Sequence, residues 1–264
     1  MNISKWGAAF ATLSIATASH AAGFVNGGFD DGTTSGWIVG SGSRNGQNLS
    51  SMNATDYLPT GSQFVPASRS AVVTPGLDPT LPTFLPNIVY GGTHSYRVED
   101  SGVVGGLVSV ISQTVTNYTD PKIFFAWLAA LDNGGHTAQQ SAGMIIKLED
   151  LTTSTTLISR IYNAGNGGGG VDARFTTGPS GYFYTAAWQT EELTIEAARS
   201  GNTFRLTVLA TDCGPTGHSG YLYLDGFGSV APPGGNNQVP EPGTALLAAA
   251  GLLGLVAARR RKQS

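Results

Sequence analysis

The chain has 264 residues, with 14 lysines and arginines, 17 aspartates and glutamates and a formal net charge of −3. Charged residues make up 12% and hydrophobic residues 41%, with 37 glycines, which is typical of a β-protein with many turns and not of a disordered chain. The acidic balance gives no reason to expect nucleic acid as a partner. Cys213 is the only cysteine, which excludes an intramolecular disulfide, and we expect it to be buried.

The first 21 residues have the layout of a secretory signal peptide. Lys5 is the one charge before an apolar stretch at residues 6–18. Ser19 and Ala21 then place small residues where signal peptidase cuts. We therefore predict a signal peptide over residues 1–21, with signal peptidase as a partner during export and the mature chain beginning at Ala22.

Residues 40–93 carry no clear pattern of helices or strands. Prolines interrupt the segment at Pro59, Pro66, Pro75, Pro79, Pro82 and Pro86. We expect an irregular excursion with one or two short strands around residues 71–73. Long loops of this kind often carry function.

Strand patterns recur from residue 95 onwards, and long amphipathic helical patterns are absent between residues 23 and 238. The β-branched and aromatic runs lie at residues 95–98, 108–115, 123–131, 144–148, 157–162, 188–195, 204–209 and 221–227. The run at 123–131 is apolar throughout, which indicates a strand buried on both faces, with Trp127 in the core. These strands predict an all-β domain over residues 22–230, an antiparallel β-sandwich of the jelly-roll type.

The last 34 residues read as a linker followed by a membrane segment. Residues 231–238 are rich in proline and glycine and predict a flexible linker. The tail continues with Val239, Pro240, Glu241 and Pro242, an apolar run at residues 243–258, and a basic end of Arg259, Arg260, Arg261 and Lys262. As a helix of about 1.5 Å per residue the run would be about 24 Å long, slightly short for a bilayer. We predict a transmembrane helix with its basic end in the cytoplasm; the alternative is an amphipathic helix packed on the domain, which the lack of a polar face disfavours.

The order of motif, apolar run and basic end resembles the PEP-CTERM sorting tail of Gram-negative bacteria. The resemblance implies a protein that is held in the inner membrane as an intermediate and then processed by an exosortase. Its destination would be the outer envelope, the cell surface or the extracellular matrix. Without both targeting segments the chain keeps nine basic and sixteen acidic residues. Anionic polysaccharide would therefore have to be bound by local chemistry, because the net field opposes it.

Both ends of the predicted β-domain resemble carbohydrate-binding modules with the galactose-binding-like jelly-roll fold. The opening Asn-Gly-Gly-Phe-Asp at residues 26–30, followed by Gly36-Trp37, resembles the start of such modules, and residues 221–227 resemble their last strand. The resemblance implies a structural Ca²⁺ between the first and last strands, a hard ion that takes oxygen ligands. The matching candidates are Asn26, Asp30, Asp31 and Asp225. The alternative is that Asp30 and Asp31 form only a turn and that Asp225 only binds backbone. No cofactor is otherwise required.

A second resemblance, to a bacterial surface ectodomain pattern, involves two loop histidines. Leu131-Asp132 precedes His136, and Asp212-Cys213 precedes the Gly-His-Ser-Gly-Tyr segment at residues 217–221. A cluster of His136 and His218 with Asp132 and Asp212 could bind a metal or exchange protons. Hydrogen-bonded structural groups are the alternative, since the chain has no tightly spaced metal-binding motif.

Aromatic side chains that could stack on sugar rings are Trp37, Trp127, Trp188, Tyr57, Tyr182, Tyr184 and Tyr221. Tyr57, Tyr182 and Tyr184 are the better candidates for an exposed ligand-binding platform, because they lie near loops or in the irregular region. Burial in the core is the alternative for each of them.

Candidate catalytic groups are weak. Residues 217–221 resemble a nucleophile elbow but lack the final glycine and the following helix. The acidic neighbours at residues 99–100, 149–150 and 191–192 point to opposite faces of a strand. We therefore predict an exported, envelope-anchored surface or exopolysaccharide-matrix protein that is not an enzyme and acts in adhesion or matrix association. The alternative is a carbohydrate-binding module with polysaccharide as its partner, and a third reading is a glycan-active hydrolase.

Overall fold

Two antiparallel β-sheets make up the computed structural model, which describes residues 23–231 apart from 68, 103 and 216. The strands are β1 (Ile38–Ser43), β2 (Ala71–Val73), β3 (Ser95–Val98), β4 (Leu107–Tyr118), β5 (Lys122–Asp132), β6 (Gly143–Asp150), β7 (Thr155–Asn163), β8 (Thr176–Thr177), β9 (Tyr182–Tyr184), β10 (Gln189–Thr194), β11 (Asn202–Thr211) and β12 (Gly220–Gly228). Single turns of 3₁₀ helix lie at Leu49–Ser51, Ala54–Tyr57, Asn166–Gly168, Pro179–Gly181 and Ala197–Arg199.

The chain crosses repeatedly between the two sheets. One sheet has five strands in the order β1-β4-β11-β6-β7. The other has seven strands, in the order β2-β3-β12-β5-β9-β8, and β10 also pairs with β5. Because β3, β5, β10 and β12 lie in the seven-stranded sheet and β4, β6 and β11 in the other, the connections pass from sheet to sheet, as in a jelly roll. The predicted all-β antiparallel sandwich is confirmed, and the predicted short strand at 71–73 is β2.

The main hydrophobic core lies between the sheets. On β5, Phe125, Trp127 and Leu131 point into this core and are fully buried. The intervening Leu128 and Ala130 point outward but are also fully buried, in a separate cluster. This explains why residues 123–131 are apolar at every position: both faces of β5 are covered.

The irregular residues 40–93 supply the covering on both outer faces. In the five-strand cover, residues 44–66, Leu49 and Met52 pack on Val108 and Leu209 of the five-stranded sheet. In the seven-strand cover, residues 74–94, Leu81 and Leu85 pack on the outer face of the other sheet. The segment that the sequence left unassigned therefore closes the two faces that a bare sandwich would expose.

The seven-strand cover is fixed by one buried carboxylate. Asp78 accepts hydrogen bonds from the hydroxyls of Tyr221 (3.0 Å) and Tyr223 (2.7 Å) on β12. It also accepts from the backbone N–H groups of Thr80 and Leu81. A buried charge needs such partners to offset its desolvation, so Asp78 ties the cover to the sheet at a defined place.

The segments predicted at the two ends of the chain lie outside the described residues. These are the signal peptide at 1–21, nearly all of the linker at 231–238, and the tail at 239–264 with its transmembrane segment. None of the helices in the described part of the chain has the length and apolar character of a membrane span.

Candidate functional site

An acid pair, one member buried and one exposed, lies where the start of the described chain meets the last strand. Asp225, on β12, is fully buried. Its Oδ2 accepts hydrogen bonds from the backbone N–H groups of Tyr90 (2.8 Å) and Gly91 (3.1 Å). Its Oδ1 is also buried and has no hydrogen-bond partner among the described residues.

Asp30 faces the same small space. A Cβ atom added to Gly28 would lie 3.2 Å from Asp30 Oδ2 and 3.5 Å from Asp225 Oδ1. Asp30 Oδ1 accepts hydrogen bonds from the backbone N–H (2.6 Å) and hydroxyl (3.0 Å) of Thr93. Gly92 has a φ of 69°, and its added Cβ would lie 2.3 Å from Asp30 Oδ1, so glycine is required there on both counts. The seven-strand cover thus contributes backbone to both carboxylates.

The electrostatics of this pair favour a cation. Burial raises the pKa of Asp225 to about 7, against the hydrogen bonds from Gly91 and Tyr90, and the negative charge of Asp30 raises it further. A hard cation such as Ca²⁺ takes oxygen ligands and would offset both effects. The unpartnered Oδ1 of Asp225 and the nearby Asp30 carboxylate fit such an ion, and calcium binding remains a prediction.

The other two predicted calcium ligands are used in a turn. The Asn26 side-chain amide donates to Asp31 Oδ1 (2.8 Å) and to the carbonyl of Thr33 (2.9 Å). Asp31 Oδ1 also accepts from the backbone N–H of Thr33 (2.7 Å). The structure therefore brings Asp30 and Asp225 together, whereas Asn26 and Asp31 hold each other in a local turn.

The predicted stacking platform of Tyr57, Tyr182 and Tyr184 is wrong, because all three side chains are buried. Tyr57 belongs to the five-strand cover itself and points inward among Leu49, Met52 and the outward side chains of the five-stranded sheet. Tyr182 and Tyr184 lie beneath the seven-strand cover. The sequence could not show this, since the cover follows no regular pattern and, for Tyr182 and Tyr184, is far away in the chain.

A different set of aromatic side chains reaches the surface of the seven-strand cover. We define the aromatic patch as Tyr90, in the seven-strand cover, and Trp188, just before β10. Both side chains are partly exposed, with their ring centroids 5.6 Å apart. Phe84 is 40% exposed and packs edge-on against Tyr184. The Trp188 indole donates to the carbonyl of Asn87 (2.8 Å), and the Tyr90 backbone is bound by Asp225. Trp188 is among the stacking candidates named from the sequence. Tyr90 is not, because the sequence does not show that it lies beside Trp188.

The two loop histidines meet. His136 Nε2 lies 3.2 Å from His218 Nδ1, and their ring centroids are 5.0 Å apart. Burial raises the pKa of the neighbouring Asp132, and His218 opposes that shift. The sequence therefore indicated a real contact between the two histidines. Asp212 is fully buried and interacts with Glu99.

The acidic neighbours at residues 149–150 and 191–192 form ion pairs. Glu149 pairs with Arg205, Asp150 with Arg199, and Glu192 with Lys122. Glu191 binds both Arg160 and Arg174. Each of these carboxylates is therefore held by a cation of its own.

One further pair of acids is Glu99 and Asp212, which the sequence named separately, beside Asp100 and beside the histidines, but not together. Burial raises the pKa of Asp212 to about 9, and the negative charge of Glu99 adds to this shift. Burial likewise raises the pKa of Glu99. Both side chains are enclosed, at 1% and 0% exposure, so a polysaccharide cannot reach them.

Comparison with known proteins adds one sequence motif and several structural likenesses. No curated protein matches the chain. The domain is similar to the structure of TmCBM61 in complex with β-1,4-galactotriose, with 14% identity, a TM-score of 0.38, and coverage of 78% of this chain and 95% of that one. It is also similar to a non-crystalline cellulose specific carbohydrate-binding module, CBM28, with 10% identity, a TM-score of 0.37, and coverage of 77% and 92%.

A third likeness is to an enzyme. It is the enzymatically active domain of bacteriophage CBA120 tailspike protein 4, with 10% identity, a TM-score of 0.37, and coverage of 77% of this chain and 20% of that one. Residues 238–262 match the PEP-CTERM protein-sorting motif, which confirms the tail predicted from Val239 to Lys262. The chain therefore carries the sorting signal of an exported protein that is directed to the cell envelope and processed by an exosortase.

Proposed function

We propose that the described domain is a non-enzymatic carbohydrate-binding module of an envelope-sorted protein. The observation that carries the proposal is the aromatic patch on the seven-strand cover. Aromatic rings bind the apolar faces of sugars while their polar edges stay hydrated. An exported protein would meet such ligands in extracellular polysaccharide.

The aromatic patch suits this role because its groups are held before any ligand arrives. The indole N–H of Trp188 is fixed on Asn87, and the backbone of Tyr90 is fixed on Asp225. When the rings are already fixed, less of the binding free energy is lost to the ordering of side chains. Asp78 supports the same arrangement from below by holding the cover on β12.

A structural Ca²⁺ would strengthen this arrangement. An ion bound between Asp30 and Asp225 would hold both carboxylates in place. It would thereby fix the backbone at residues 90–93, whose N–H groups donate to these carboxylates. Calcium would then act on sugar binding through Tyr90 and would not contact the sugar.

Adhesion or matrix association follows from the same proposal as its biological consequence. A domain that binds the polysaccharide exported by its own cell would stay in the envelope or matrix after exosortase processing. The inner-membrane intermediate, with signal peptidase acting at the other end of the chain, is the route by which it would arrive.

The non-enzymatic part of the proposal rests on how the carboxylates are used. Glycoside hydrolysis needs two accessible carboxyl groups about 5–10 Å apart. In the described domain Glu149, Asp150, Glu191 and Glu192 are ion-paired, and Glu99 and Asp212 are enclosed. We expect no new reducing ends when the protein is incubated with polysaccharide. Steady release that is lost on mutating a single carboxylate would favour the hydrolase instead.

A glycan array tests the binding. The chain is expressed with its own export signal, purified in mild detergent and applied with and without Ca²⁺. Trp188→Ala should weaken binding to every recognised glycan by about fivefold, from the loss of about 1 kcal/mol of stacking. Phe64→Ala is the matched control, because Phe64 is partly exposed but pairs with Gly42 of the other sheet. Equal binding by both variants would refute the role of the patch.

A further inference from the structure

Three metal-binding side chains meet at one end of the sandwich. His136 lies in the loop between β5 and β6, and Cys213 and His218 lie in the loop between β11 and β12. One potential ligand atom from each of the three lies within 4.8 Å of the other two. Cys213 is buried, and both histidines are partly buried.

The backbone of both loops holds these side chains in place. The N–H of Cys213 donates to the carbonyl of His218 (3.0 Å), which closes the loop between β11 and β12. Asn166 donates its N–H to the carbonyl of His136 (3.1 Å). A Cβ atom added to Gly134 would lie 2.1 Å from His218 Nδ1, so glycine at this position makes room for the imidazole.

Two of the three ligand distances match those of a tetrahedral metal site. Bonds of about 2.0–2.1 Å to nitrogen and about 2.3 Å to sulfur place two nitrogen ligands about 3.3 Å apart and nitrogen and sulfur about 3.5 Å apart. His136 Nε2 and His218 Nδ1 are 3.2 Å apart, and Cys213 Sγ and His218 Nδ1 are 3.5 Å apart. The third pair, His136 Nε2 and Cys213 Sγ, lies within 4.8 Å, so these two side chains are the ones that would adjust to bind one ion.

A buried cation also lies near the cysteine. The Arg44 side chain is fully buried, donates to the backbone carbonyls of Gln139 and Gln47, and interacts electrostatically with Cys213.

We propose that His136, Cys213 and His218 bind one divalent transition-metal ion of the zinc type. Thiolate and imidazole ligands select such ions over Ca²⁺, which prefers oxygen. The ion would join the loop after β5 to the loop after β11, and a water molecule would complete the tetrahedron. This site is separate from the acid pair of Asp30 and Asp225 and does not depend on sugar binding.

The test is zinc titration of the chain, purified in mild detergent and stripped of metal. Excess Ca²⁺ is added to the buffer so that carboxylate sites do not take up Zn²⁺. We expect one bound Zn²⁺ per chain and, with Co²⁺ in its place, a thiolate-to-metal absorption band. Cys213→Ser and His136→Gln should each weaken Zn²⁺ binding by more than about tenfold, since even outer-shell losses reach that size. Cys213→Ser should also remove the absorption band.

His94→Gln is the matched control, because His94 lies outside the cluster and hydrogen-bonds with Thr93. It should bind Zn²⁺ as the unaltered chain does. Circular dichroism and melting in chelator show whether each variant is folded, and if one fails to fold, the other carries the test. The proposal is overturned if the unaltered chain binds no stoichiometric Zn²⁺, or if a folded Cys213→Ser or His136→Gln variant binds it as tightly.

Discussion

Asp78→Ala should destabilise the domain more than an ordinary surface substitution. The change removes the acceptor for two buried tyrosine hydroxyls, Tyr221 and Tyr223, and for the backbone N–H groups of Thr80 and Leu81. Each buried polar group left without a partner costs about 1–3 kcal/mol. Relief of the buried Asp78 charge offsets part of this cost. We expect a net loss of about 3 kcal/mol in the free energy of unfolding, or about 6–12 °C in melting temperature for a domain of this size.

Urea denaturation of Asp78→Ala and of the unaltered chain measures this loss. The matched control places Asp78→Ala in a Tyr221→Phe/Tyr223→Phe background, where no hydroxyl remains to be orphaned. There the cost should fall to about 1 kcal/mol, because the two sites are coupled through the same hydrogen bonds. A loss below about 1 kcal/mol in the unaltered background, or an equal loss in both backgrounds, would show that Asp78 does not stabilise the domain through the two tyrosine hydroxyls.

Three further predictions concern acid stability, calcium and the tail. Against the effect of burial, hydrogen bonds from Asn202, Thr153 and Arg199 lower the pKa of Asp150 to about 2. Above pH 4 this carboxylate should therefore contribute about 2 kcal/mol to the free energy of unfolding, and this contribution is lost as the pH falls toward 2. Asp150→Asn should flatten that part of the stability–pH curve. Ca²⁺ should raise the melting temperature and EDTA should lower it. Asp225→Ala should abolish this difference, and Asp31→Ala should keep it. Identical melting curves with and without the ion would contradict the calcium site. Deleting residues 243–264 should release the domain from the membrane fraction, and full retention there would contradict the anchor.

The strands could be predicted because their pattern is local. β3 was found from its alternating pattern and β5 from the continuous apolar run at residues 123–131, which the structure extends by one residue at each end. The short strands β1, β8 and β9 were missed. β8 has two exposed threonines and β9 only three residues, too few to establish a period.

The candidate site was predicted less well because it depends on contacts between distant segments. Asp30 and Asp225 were recognised from motifs at the two ends of the domain, and the structure brings them together beside Gly28. Tyr182 and Tyr184 were misjudged because an irregular, proline-rich segment covers them. Such a segment has no periodicity from which its buried face could be read.

Sugar binding by the aromatic patch can be measured as the affinity of the protein for the polysaccharide that its own cells export. Affinity electrophoresis through gels containing that polysaccharide compares the unaltered chain with Trp188→Ala and Phe64→Ala. We expect the unaltered chain and Phe64→Ala to be retarded alike and Trp188→Ala to bind about fivefold more weakly. No retardation of the unaltered chain, or equal retardation of all three proteins, would contradict sugar binding by the aromatic patch.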